Sequence, residues 1–410
     1  MRRGTNLPRM GDFNQTVVLD AIRRAGDGLA RAEVARRTGL SAQTVTNVAR
    51  RLLDLGLVVE EGEAVRSGPG RPGTLLRLNP LSRYAVGVHL DPATMTFVLL
   101  DLSGAVVARA QRPTPVPEDP GAVLDGLVAE IEGLIDGAGV DRDRVLGVGI
   151  AAPGPIDVEA GVVLDPPHLP GWHDVPLRDA VAERTGLLAV LDKDVIAAAC
   201  AHLWHHDGQH ASDFVFFYLG TGVAVSTVLR DEVVRGISGN AGESGHLIAD
   251  PDGARCWCGR RGCLGAVLRA EALAEQGRAA GVPLPGWGDG TDPRTVDDAV
   301  TALCAAADAG DPAARDVLRL AGRRVAMAAG VLTDLLDVGA VLVGGPLWDR
   351  VAPHATVALE AEVAAHPVPG GHGVTVASSA FGPQVAAVGA GCILLGRAFT
   401  PRPSDLLLVS

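Results

Sequence analysis

Apolar positions recur with a helical period over the first 55 residues and then switch to short strand-like runs. Val17, Val18, Ala21 and Ile22 form one stripe, which predicts a first helix capped by Asp12 or Asn14. A second, shorter helix is expected over Arg31 to Thr38, carrying Val34 and Ala35 and stopped by Gly39. Ser41 caps a third helix over 42–55, closed by Gly56. Its apolar face is Val45, Val48, Ala49, Leu52 and Leu55. The polar side offers Gln43, Thr44, Thr46, Asn47 and Arg50. Helix, Gly-containing turn and helix make the helix-turn-helix pattern. Gln and Asn can bond adenine bidentately and Arg can bond guanine, and Gln43 and Asn47 stand one turn apart near the helix start. An ordinary amphipathic helix with a solvated polar face fits this segment equally well.

The next segment shifts that balance. Leu57 to Glu60 and Thr74 to Leu78 read as two strands around a tip of turn formers and Arg, residues 66–73. Such a wing places Arg66 and Arg71 against the DNA backbone or in a narrow minor groove. The competing reading of the tip is a flexible linker. Beyond Asn79-Pro80 strands and helices alternate. Strands are expected at Tyr84–Leu90, Met95–Asp101, Val145–Ala151, Leu187–Leu191, Phe214–Leu219, Val223–Leu229, Ala340–Val343 and Val374–Ser378. The clearest helices are Leu124–Ile135 and Ala321–Leu336. The alternation predicts an α/β class with two lobes and a cleft between them.

Charge sharpens the division. Residues 1–80 carry 13 Arg against 8 Asp and Glu, whereas the other 330 carry 23 basic against 40 acidic residues. A basic head on an acidic body points to double-stranded DNA as the partner of the head alone. No apolar run of membrane-spanning length is expected, and the basic start Met1-Arg2-Arg3 is not followed by a signal-peptide core. These features predict a cytoplasmic protein with no membrane partner. Six cysteines do not suggest a disulfide framework. His246, Cys256, Cys258 and Cys263 instead match a closed tetrahedral Zn2+ site, structural because no coordination position is left open. Cys200, Cys304 and Cys392 are expected in the core.

Several motifs occur in order: Gly171-Trp172, Asp192-Lys193-Asp194, Leu219-Gly220-Thr221-Gly222, Ala241-Gly242-Glu243-Ser244-Gly245-His246, Cys256-Trp257-Cys258-Gly259-Arg260-Arg261-Gly262-Cys263-Leu264 and Gly344-Gly345-Pro346. With them the chain resembles the ROK family of repressors, open reading frames and sugar kinases, over essentially its whole length. The resemblance implies a two-lobed, actin-like sugar kinase fold behind a winged helix-turn-helix of the repressor branch. The expected divisions are a DNA-binding domain at 1–80, a first lobe at 81–200 and a second lobe at 201–410, whose C-terminal helix returns to the first.

By the same resemblance Asp194 matches the catalytic Asp of the kinases, and Glu243 and His246 match sugar-bonding positions. Lys193, the only lysine, replaces a family Asn. Gly265 replaces one family Glu and His202 another. The first phosphate loop, Asp-x-Gly-Gly-Thr in the kinases, reads His89-Leu90-Asp91-Pro92-Ala93 here. Pro92 removes an N–H and Asp91 places negative charge where phosphate would sit. The second loop keeps Gly220-Thr221-Gly222 but loses later glycines. The resemblance thus implies a non-enzymatic, ligand-responsive regulator that does not bind ATP, more a repressor than an activator, working as a homodimer or homotetramer. The pocket formed by Lys193, Asp194, Glu243 and His246 admits three readings: decayed, retuned by Lys193 for an anionic sugar derivative, or open to a neutral sugar in an altered pose. An active sugar kinase with an appended head is the alternative from another class.

Overall fold

The computed structural model describes residues 7–63, 73–115, 119–166, 169–205, 212–288, 293–365 and 373–401. The head contains α1 (Leu7–Arg24), β1 (Leu29–Ala30), α2 (Arg31–Thr38), α3 (Ala42–Asp54), β2 (Val58–Glu63) and β3 (Thr74–Leu78). α2 stops at Gly39 in the left-handed conformation, and the Ser41 side chain caps α3 by accepting from Thr44 N. Two expectations need correction. α1 starts at Leu7, so Asp12 and Asn14 lie inside it; Asp12 pairs with Arg51 of α3 at 3.2 Å instead. Leu55 is 42% exposed because α3 has ended and the chain reverses at Gly56, leaving Leu57 to enter the core in its place. Val18, Leu19 and Ile22 of α1 pack with Val45, Ala49 and Leu52 of α3 and with Leu76 of β3. β3 is central, antiparallel to both β1 and β2. The wing tip, with Arg66 and Arg71, lies outside the described residues.

The first lobe runs through β4 (Tyr84–Leu90), β5 (Thr94–Asp101), β6 (Val106–Pro113), α4 (Pro120–Ala138), β7 (Val145–Ala152), β8 (Ile156–Asp157), β9 (Val162–Val163), α5 (Leu177–Thr185) and β10 (Ala189–Lys193). Its sheet order is β10-β7-β4-β5-β6, with the first three strands parallel. α6 (Asp194–Trp204) leads to the second lobe: β11 (Phe214–Leu219), β12 (Val223–Leu229), β13 (Glu232–Val233), α7 (Leu264–Leu268), α8 (Ala270–Ala279), α9 (Pro293–Asp308), α10 (Pro312–Leu336), β14 (Ala340–Gly344), α11 (Pro346–Ala365) and β15 (Thr375–Ser378). Here the order β13-β12-β11-β14-β15 repeats the topology of the first sheet. α12 (Val385–Phe399) then lies on β4 and β7 of the first lobe and crosses α6.

Buried parallel strands such as β4 and β11 are continuous apolar runs because both faces are covered. β6, with its exposed Val-Val-Ala-Arg pattern at the sheet edge, gave no such signal. The crossing of α6 and α12 is close: a Cβ on Gly389 would stand 1.6 Å from the Ala197 carbonyl oxygen. One stretch, Gly382–Phe399, does reach membrane-spanning length and apolarity, against expectation. Most of it is buried as α12, where apolarity serves packing between the sheet and α6. Cys392 is buried as expected, whereas Cys200 and Cys304 are only half-buried.

Candidate functional site

Three groups of side chains carry chemistry. The first is the outer face of α3. Gln43, Asn47 and Arg50 are exposed at successive turns, while Thr44 and Thr46 are half-buried. Gln43 Nε2 donates to Asn47 Oδ1 at 3.1 Å, so the two candidate base readers hold each other. Thr46 turns its hydroxyl back to the Ala42 carbonyl at 2.8 Å, and the Thr44 hydroxyl meets that of Ser41 at 2.9 Å. These two threonines are therefore engaged with their own helix. The sequence reading passed over Arg36 and Arg37, which are exposed on α2, the helix that crosses the backbone in such motifs. Both bond Glu33, whose carboxyl they hold down at about 2. Two adjacent arginines at the end of the helix before Gly39 were the available signal.

The second group lies in the loop after β13. The donor atoms of His246, Cys256, Cys258 and Cys263 all fall within 4.8 Å of one another. Cys258 Sγ and Cys263 Sγ are 3.6 Å apart, and His246 Nδ1 is 3.5 Å from Cys256 Sγ. A tetrahedron with metal–sulfur bonds near 2.3 Å has edges of about 3.8 Å, so four-coordinate binding needs little movement. Burial and the neighbouring thiols push Cys263 up to about 12, and a cation is the natural way to draw it into the thiolate form. The loop is shaped by its backbone. Gly262 has φ +63°, and a Cβ there would sit 1.4 Å from the Asp250 carbonyl oxygen. Arg324 of α10 clamps the loop through Asp250, with its Nη2 at 2.8 Å and its Nε at 3.0 Å from Oδ2.

The third group lines the cleft at the carboxyl ends of β4, β10 and β11, where ligands bind open α/β sheets. Lys193 ends β10 and is 1% exposed. Its Nζ donates to Glu243 Oε1 at 2.5 Å. Neither neighbouring Asp provides that contact. Asp192 accepts Arg235 Nη2 at 2.9 Å and the Lys193 backbone N–H at 2.9 Å. Asp194, at the start of α6, accepts from Val195 N at 2.6 Å. Burial pushes the Asp194 carboxyl up, against the pull of His89 and Lys193. His246 directs Nδ1 toward the thiols, leaving Nε2 on the other side of its ring.

The two phosphate loops meet each other. Thr221 Oγ1, after β11, donates to Asp91 Oδ2, after β4, at 2.7 Å. The other carboxylate oxygen of Asp91 accepts Ala93 N at 2.9 Å. Behind them the Tyr218 hydroxyl lies 3.4 Å from His89 Nε2. Burial pushes Tyr218 well above its ordinary value, so it keeps its proton and can donate to His89. His202 packs against Phe216 and Phe381 and meets Ser379 Oγ at 3.1 Å. Gly265 lies close against Gly245, 3.3 Å from its carbonyl oxygen to the position of a Cβ.

A family model described as ROK family matches residues 85–396, and one described as MarR family matches residues 6–66. The chain belongs to the ROK family. Its head is a MarR-type winged helix. The crystal structure of a ROK transcriptional regulator, a homolog of the Escherichia coli MLC protein, is similar at TM-score 0.75 and 27% identity, covering 95% of this chain and 97% of that one. A ROK glucokinase from Streptomyces griseus, in complex with glucose and AMPPNP, is similar at TM-score 0.62 and 28% identity, covering 76% of this chain and 98% of that one. The xylose repressor of Bacillus subtilis (strain 168) is 27% identical over 260 residues, 63% of this chain and 66% of that one. The stretch shared with the xylose repressors of Caldicellulosiruptor and with a glucokinase spans about three-fifths of their length. ROK relatives of this chain thus include both repressors and kinases, and the head is shared with the regulator structure.

Proposed function

We propose that this protein is a cytoplasmic, sugar-responsive transcriptional repressor that binds operator DNA as a homodimer or homotetramer and does not phosphorylate its ligand. The observation that carries the non-enzymatic part is the Thr221–Asp91 hydrogen bond. Phosphate binding needs inward-pointing donors and room between the two loops. Here an acceptor carboxylate occupies that room and engages the donor that the second loop retains. Asp194 then serves as an acceptor for a sugar hydroxyl, with Glu243 and His246 as further contacts. Retention of Asp194 is what favours the alternative, an active kinase carrying a DNA-binding head.

In the repressor reading Gln43, Asn47 and Arg50 read bases, and Arg36, Arg37, Arg66 and Arg71 contact phosphates or the minor groove. The Cys3His cluster holds structural Zn2+, whose chemistry is to tie the loop that carries His246 and stabilise the lobe around it. Lys193 and Glu243 favour a neutral sugar as effector over an anionic one. A carboxylate or phosphate would have to displace Glu243 from Lys193, whereas a neutral sugar meets an already neutralised pair. The test is to sequence the DNA that the purified protein selects from a random pool, with and without glucose, xylose and N-acetylglucosamine. Selection of a defined site that one of these sugars weakens supports the reading. ATP-dependent phosphorylation of any of them, lost in Asp194→Asn, would replace it with the kinase.

A further inference from the structure

α6 joins the cleft to the head in a single helical run. Its first residue is Asp194, beside Lys193 in the cleft, and its last is Trp204. Eleven residues at helical rise span about 16 Å. Val195, Ile196, Ala197, Ala198, Ala199 and Ala201 along it are fully buried, and the helix lies in backbone contact with α12 at Gly389. A helix packed this tightly moves as a unit, because close-packed interiors transmit displacement.

The far end of α6 is clasped by the head. Arg23, in the last turn of α1, is 7% exposed and stacks its guanidinium 4.1 Å above the Trp204 ring. Its Nη1 donates to the Trp204 carbonyl, one of the acceptors that a helix C-terminus leaves without an internal partner. A cation there also meets the negative end of the helix dipole. Its Nη2 bonds Asp20 at 2.5 Å, and Asp20 also accepts Arg24 Nε at 2.8 Å. Arg24 reaches Asp231, on the turn between β12 and β13, at 3.6 Å. The turn after β5 completes the junction. Ser103 O accepts Trp204 Nε1 at 3.0 Å, Gly104 O faces His205 Nε2 at 2.9 Å, and Leu102 N donates to Pro80 O in the head–body connection at 2.9 Å. One end of α1 thus touches α6 and the second lobe, while the connection to β3 is held by the first lobe. The other face of α1 packs on α3.

We propose that Arg23 is a positioning residue that couples the cleft to the DNA-reading helix: it holds the C-terminus of α6 and transmits its displacement through α1 to α3. This rests on the repressor reading above. By linkage the coupling runs both ways: DNA on the head changes cleft affinity by the same factor as a cleft ligand changes DNA affinity, and through Arg23 that influence reaches the cleft end of α6. That reciprocity gives a test requiring no knowledge of the effector.

The full-length protein is mixed with a duplex selected by its own binding, and amide hydrogen exchange is followed at 193–205 and 99–105. In the wild type, duplex binding changes exchange in both segments. Arg23→Lys keeps the charge but loses the stacked fork, and Arg23→Ala loses both. Either variant should bind the duplex within about threefold of wild type while the exchange change at 193–205 disappears, since typical couplings are about 5–150-fold and are separable from affinity. A merely structural role would lower stability and affinity but leave the propagated change in place. The proposal is overturned if the wild type shows no change at 193–205, or if both variants show the wild-type change. A chain that selects no duplex at all fails the repressor reading instead, and the proposal with it.

Discussion

Lys193 and Glu243 form an asymmetric pair, and the asymmetry sets what each substitution should do. The ammonium is 1% exposed, whereas the Glu243 side chain is 66% exposed. Removing the carboxylate therefore leaves a buried charge without its partner, while removing the ammonium releases a carboxylate that water already reaches. At an effective dielectric between about 20 and 80, two unit charges at this separation attract by about 2–7 kcal/mol before desolvation is counted. Breaking a fully buried pair from one side costs about 3–5 kcal/mol, and the exposure of Glu243 lowers that figure. Glu243→Gln should thus cost about 1–3 kcal/mol, the range for a hydrogen bond to a charged group. Lys193→Met keeps an unbranched apolar chain of similar length and should stay within about 1 kcal/mol of wild type, because apolar replacement of a buried ion is often neutral or stabilising. Urea unfolding of both variants at neutral pH measures the difference. Equal losses, or a larger loss in Lys193→Met, would refute the reasoning and mean that the lysine contributes through packing.

Other substitutions probe the remaining sites. Cys258→Ser should abolish stoichiometric zinc in the purified protein and lower its melting temperature, and full zinc content in the variant would remove Cys258 from the ligand set. Gln43→Ala or Asn47→Ala should each cost about 1–3 kcal/mol at the selected site and relax base preference there, as read by competition binding against single-base variants of the site. Because burial raises the Asp194 carboxyl above its ordinary 3.8, the folded state holds that proton more tightly than the unfolded one. Its contribution to stability therefore falls as pH rises from that ordinary value through the folded one. Asp194→Asn should melt higher than wild type at pH 7 and lose this advantage in acid, and a constant difference across pH would contradict the assignment. Lys193→Asn restores the family residue and should alter the sugar response, read as the change in DNA affinity on adding each sugar. A phosphorylated sugar outperforming its neutral parent in the wild type alone would reinstate the anionic effector.

Much of the fold was legible because it depends on local signals. β11 and β12 match their apolar runs residue for residue, and α2 ends at Gly39 as its left-handed conformation requires. Boundaries that depend on solvent contact were harder: β6 is an edge strand whose outward residues obey no packing rule, and Leu55 satisfied the apolar period after its helix had ended. Candidate sites divided the same way. The candidate metal ligands are three closely spaced cysteines and one histidine, a pattern that spacing alone reveals. The partners of Lys193 and Asp91 lie 50 and 130 residues away. Nothing along the chain points from Lys193 to Glu243. The Arg23–Trp204 contact crosses 181 residues and leaves no trace in either segment's periodicity.

The cleft residues that depart from the kinases are related to one another by a single physical change. A phosphate cradle requires the two loops to face each other with donors inward and nothing between them. Replacing an N–H with Pro92 and adding the Asp91 carboxylate turns one loop into an acceptor, which the Thr221 donor of the other loop can satisfy. His89 and Tyr218 make a second contact across the same gap, and Lys193 with Glu243 makes a third. Each such bond contributes about 0.5–1.5 kcal/mol net, more where a charge takes part. Together they amount to a few kcal/mol, comparable with the roughly 5.5 kcal/mol needed to move a two-state equilibrium from one side to the other. The three contacts clasp the two lobes together across the cleft, with a combined strength within reach of a single ligand. In the repressor reading proposed above, a neutral sugar binds beside the intact Lys193–Glu243 pair, so it can act on the head only by binding the clasped arrangement with a different affinity from an opened one.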